Sequence, residues 1–92
     1  MRVHEVNLRK DLSFIIAKEI KNHSNQERFN FSKRSMDLIQ GLYDLHQFKM
    51  QDFVRIFKET SSKRFQFCTL YISNDDHTIT KVNCLQGHLL MY

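Results

Sequence analysis

Between Phe31 and Glu59 the sequence FSKRSMDLIQGLYDLHQFKMQDFVRIFKE contains no proline, and its apolar residues recur at helical spacing. Met36, Leu38, Ile39, Leu42, Tyr43, Leu45, Met50, Phe53, Val54, Ile56 and Phe57 spread over about half of a helical wheel. Asp37, Gln40, Asp44, Gln47, Gln51, Asp52, Arg55 and Lys58 occupy the other half. Read as one helix opening at the N-cap Ser32, the segment is on the order of 40 Å long at about 1.5 Å per residue. So wide an apolar face has to be buried against something. In NLRKDLSFIIAKEIKNH the residues Leu8, Leu12, Ile15, Ile16 and Ile20 form one stripe, which predicts a helix from about Glu5 to Lys21. Asn7 suits its N-cap, and Lys18 and Lys21 suit its negative end. At about 25 Å or less, that helix is too short to cover the longer one.

The 92 residues read as a single small domain, residues 1–92. A chain of this size buries roughly 60–65% of its unfolded surface, so an uncovered apolar face weighs heavily on its stability. With 41% hydrophobic and 26% charged residues the composition is that of an ordinary globular chain rather than a disordered one, and a net charge of +4 fits an acidic partner such as nucleic acid as well as an unremarkable soluble protein. The cysteines, Cys68 and Cys84, form no CxxC pair. The opening MRVHEVNLRKD is too polar for a signal peptide, and no run reaches the roughly 18 apolar residues of a membrane-spanning helix. These features predict a soluble, intracellular, reduced protein with no membrane partner.

NHSNQERFN reads as a loop in which Phe29 and Phe31 alternate, a short extended piece leading into the next helix. RFQFCTLYIS alternates with β-branched and aromatic residues, NDDH is a turn signal and TITKV is again strand-like, so the residues taken alone spell a hairpin. A two-residue loop at Asp75 and Asp76 makes partner numbers sum to about 151; a loop one residue longer gives about 152 and sets Cys68 opposite Cys84. NCLQGHLLMY fits a short amphipathic helix through Leu85, Leu89 and Leu90, weakened by Gly87.

The five histidines lie at 4, 23, 46, 77 and 88 without HExxH or Cys/His spacing. His46 falls inside the apolar arc and reads as a packed side chain. Asp75 and Asp76 read as turn residues rather than an acid–base pair. There is no nucleophile elbow, P-loop or glycine-rich phosphate loop, so no catalytic residue, metal, cofactor or small-molecule substrate is predicted. What remains are two basic pairs, Lys33-Arg34 and Lys63-Arg64, near the two ends of the long segment.

The succession of helix, basic loop, long helix, basic loop and leucine-rich end is similar to the histone fold. LRKDL, FNFSKRSMDLI and LQGHLLMY look most like the small centromere protein X family, whose members pair with centromere protein S. The resemblance implies a mainly α, histone-fold-like chain: helix, short loop, long central helix, loop and short C-terminal helix. It implies a heterodimer with a second histone-fold chain, formed through Met36, Ile39, Tyr43, His46, Met50, Phe53 and Phe57. Joined loops would then bind the DNA backbone without sequence specificity through Lys33, Arg34, Lys63 and Arg64, assisted by Arg28 and Arg9. A nuclear setting, in a centromere or DNA-repair complex, follows from the same resemblance. SSKRFQFCTLYISNDDHTIT departs from that pattern. The alternative is an α+β chain, two helices packed on a C-terminal β-hairpin, serving as an interaction module that binds a protein partner through the long helix. Residues 64–84, hairpin or loop and helix, discriminate between the two.

Overall fold

Three helices and three strands follow one another as α1 (Val3–Asn22), β1 (Arg28–Asn30), α2 (Lys33–His46), α3 (Met50–Ser61), β2 (Phe65–Ile72) and β3 (Ile79–Gln86). The structure is a computed structural model, and it describes residues 3–61 and 65–86. The strands form one antiparallel sheet in the order β1-β3-β2, so the chain is α+β.

This architecture corrects several expectations. The single helix from Ser32 to Glu59 is two helices, because Gln47 adopts the left-handed conformation (φ 51°, ψ 45°) and its N–H closes back on Tyr43 O at 2.7 Å. At about 1.5 Å per residue, neither piece is much longer than about 20 Å, so there is no long central helix of the kind the histone-fold resemblance implies. From Phe65 onward the chain is strand where that resemblance implies a loop and a helix. The C-terminal helix expected through Leu85 is replaced at Leu85 and Gln86 by the end of β3; its remainder lies outside the described residues.

Local chemistry accounts for most boundaries. Ser32, extended at φ −64° and ψ 158°, caps α2 by accepting from Ser35 N–H at 3.2 Å. At the start of α3, Lys49 N–H donates to the Asp52 carboxylate at 3.1 Å while Lys49 O accepts the N–H groups of Asp52 and Phe53. Helix α1 begins at Val3, which places Asn7 within the helix rather than at its cap. In the hairpin, pairs Phe67↔Leu85 through Tyr71↔Lys81 follow the register that sets Cys68 opposite Cys84. Bulges between Phe65 and Phe67 and between Tyr71 and Ile72 shift the alternation. The loop is closed by Ser73 N–H donating to Thr78 O at 2.8 Å, with His77 left-handed at φ 58°.

The helices pack on one face of the sheet. Leu12, Ile16, Ile39, Phe53, Phe57, Phe65, Val82 and Cys84 are fully buried there, with Phe29, Phe31, Ile56, Leu70 and Ile79 nearly so. Aromatic contacts link the layers: His23 stacks on Phe29 at 4.5 Å, Phe29 meets Phe65 edge-on at 5.0 Å, Phe31 meets Phe53 at 6.3 Å, and Phe48 meets Tyr43 at 5.4 Å. The wide apolar arc is thus covered largely within the chain, by α1 and by a sheet.

Candidate nucleic-acid interface

Helices α2 and α3 are joined by a three-residue turn (residues 47–49) and each packs on α1 rather than on the other, with the β2–β3 hairpin beside them as a wing. Burial orients α3. Phe53, Ile56, Phe57 and Ser61 face inward. Gln51, Arg55 and Lys58, spaced by one turn each, lie on the exposed side. Arg55 forms an exposed ion pair with Asp52 at 3.6 Å, a contact too weakly held to keep the guanidinium from a phosphate or a base.

The start of α2 is fixed from below. Glu19 of α1, only 2% exposed, accepts a hydrogen bond from Ser32 N–H and stands 3.4 Å from His23 Nε2. This carboxylate ties the end of α1 to the cap of α2 and so sets the direction in which Lys33 and Arg34 project. Both are exposed on the first turn of α2, where the helix N-terminus favours anions.

The basic residues singled out from the sequence therefore meet different fates. Lys33, Arg34 and Arg28 are exposed, Arg28 at the edge of the outer sheet face. Arg9 is committed to an ion pair with Glu59 that joins α1 to α3. Lys63 and Arg64 lie outside the described residues. Of the residues expected at a dimer interface, Ile39, Phe53 and Phe57 are buried in the core of this chain. Met36 and Tyr43 pack partly against that core, His46 is half-buried and Met50 is exposed. The sequence reading left Gln51, Arg55 and Lys58 on the solvated half of a continuous helix; on a separate α3 they form its exposed stripe.

The wing tip has the opposite character. Asp75 and Asp76 are exposed there, and hydrogen bonding to Thr78, through its side chain and its N–H, holds the Asp76 carboxyl below its usual range. Two carboxylates at the tip repel phosphate. On the sheet face away from the helices, Phe67 and Tyr71 are about half exposed, with Lys81 Nζ 5.2 Å from the Tyr71 ring centroid. Among the described residues no group of three or more His, Cys, Asp or Glu is placed to hold a metal ion, and no helix is long and apolar enough to cross a membrane. No family model, curated protein or solved structure matches the chain.

Proposed function

We propose that the chain is a DNA-binding module that lays α3 in the major groove of a duplex and grips the flanking phosphates from the start of α2. The observation that carries this reading is the exposed stripe of Gln51, Arg55 and Lys58 along α3, together with Lys33 and Arg34 exposed at the start of α2. Lys33, Arg34 and Lys58 bind phosphate oxygens, which contributes affinity without sequence information. Arg55, with its planar fork, and Gln51, with its amide, have the chemistry to meet guanine and adenine edges respectively. Two carboxylates at the wing tip repel phosphate, so the contact is made by helices alone. Pairing with a second histone-fold chain, and the nuclear, centromeric setting attached to it, presuppose one unbroken helix from Ser32 to Glu59 and have no part in this reading.

Fluorescence anisotropy of a labelled duplex across a salt series is the test. Wild type should bind at low salt with log K falling linearly against log salt. Lys33→Ala with Arg34→Ala should weaken binding to every sequence alike and reduce the slope by about 0.9 per lost phosphate contact. Arg55→Ala should reduce preference among sequences as well as affinity. A wild-type chain that binds no duplex at low salt overturns the reading.

A further inference from the structure

The apolar arc is not wholly covered. On α2, Leu38, Leu42 and Leu45 lie along one stripe with Gly41, and Leu38 and Leu45 remain 52% and 75% exposed. On α1, Phe14 is 71% exposed beside Leu38. A groove of about 380 Å³ runs between the two helices, lined by Asp11, Phe14, Ile15, Leu38, Gly41 and Leu42. Helix α3 packs on the other flank of α1, where Arg9 pairs with Glu59 and Ser13 Oγ lies 3.0 Å from Thr60 Oγ1. The groove thus faces away from α3 and continues past Phe14 and Leu38 toward Arg34 at the start of α2.

We infer that this groove is the interface with a second copy of the same chain, docked about a two-fold axis passing near Phe14. Three observations select that occupant. First, the surface holds both a knob and a hole: Phe14 protrudes, and the floor at Gly41 is open, since a Cβ built there meets no atom within 4 Å. Second, the chain's own packing gives no reason for that glycine. A glycine inside a helix is unfavourable relative to alanine, and here nothing among the described residues needs the missing side chain, whereas a ring arriving from outside does. Third, the charges are self-complementary. Asp11 lies three residues before Phe14 and Lys18 four residues after it, both exposed on the same flank, so a two-fold through Phe14 sets each Asp11 against the other copy's Lys18. In such an isologous contact each Phe14 enters the partner's groove above Gly41. This goes beyond the DNA reading and does not depend on it.

Sedimentation equilibrium of the full chain, without DNA, tests the inference. Wild type should dimerise in the micromolar range. Leu38→Lys, at an exposed site, should leave the circular dichroism spectrum unchanged and yield a monomer. Gly41→Met should have opposite effects on two readouts, raising the thermal midpoint of the monomer at high dilution while weakening dimerisation by about tenfold or more. Asp11→Lys alone should weaken the dimer, and adding Lys18→Asp should restore it. A wild-type chain that stays monomeric at high micromolar concentration overturns the inference, as does a dimer indifferent to Leu38→Lys or a charge swap that fails to rescue.

Discussion

Cys84 sits fully buried on the inner face of β3, directly across the ladder from Cys68, and both thiols are free. Hydrogen bonding with the Cys68 thiol, and then burial, push the Cys84 thiol well above the ordinary thiol range. Below about pH 8.5 a thiol is protonated in folded and unfolded chains alike, and the preference of the folded state for the proton is fully satisfied. As the pH rises past that value the unfolded chain loses the proton while the folded one keeps it, so stability falls. Urea midpoints measured from pH 8 to pH 10 should therefore decline, and Cys84→Val should flatten the decline. Equal alkaline slopes for the two proteins would refute the assignment. Iodoacetamide should correspondingly modify Cys84 in the folded chain far more slowly than in urea.

At the scale of elements the instructive feature is the turn between α2 and α3. Gln47 holds a left-handed conformation with a side chain that disfavours it, so Gln47→Gly should stabilise the fold by about 1 kcal/mol, and Gln47→Val should destabilise it. Thermal midpoints of the two variants check this; a helix continuous through position 47 would give the reverse order. The sequence hid this break for a definite reason. Ile39 and Phe57 are both fully buried and lie eighteen positions apart, which is about five whole turns, so a continuous wheel placed them on one face although they belong to different helices. No proline or glycine marks the turn. The one local signal was Asp52, three residues after Lys49, in the position of a carboxylate that reaches back to a helix start. By contrast, the stripe of α1, the Ser32 cap and the hairpin with Cys68 facing Cys84 were legible, because each rests on spacing within a few residues. The partnership of β1 with β3 was not legible, since three residues flanked by polar loop carry too short an alternation to name a distant partner. The candidate site suffered with the turn: Lys33 and Arg34 were found as a basic pair, but Gln51, Arg55 and Lys58 gain meaning only once α3 is a separate helix.

At the scale of the whole molecule, β3 is the central strand of the sheet, with Phe29 of β1 against Cys84 on one edge and β2 on the other. Removing it leaves both neighbours without a ladder and strips Ile79, Val82 and Cys84 from the core. A chain ending at Ser73 should accordingly lose cooperative thermal unfolding altogether rather than melt a few degrees earlier, a difference that far-ultraviolet circular dichroism distinguishes. A truncated chain with a sharp transition would show that the helices stand alone. The same placement governs the order of events during synthesis. A ribosome delivers α1, β1, α2 and α3 well before the strand that joins the two ends of the chain, and pairings this distant in sequence are closed late. Until residue 86 has emerged, Phe29, Phe31, Phe53 and Phe57 have no sheet complete enough to cover them. The nascent chain is then a set of sticky helices, and β3 is the strand that gives their apolar faces a common cover.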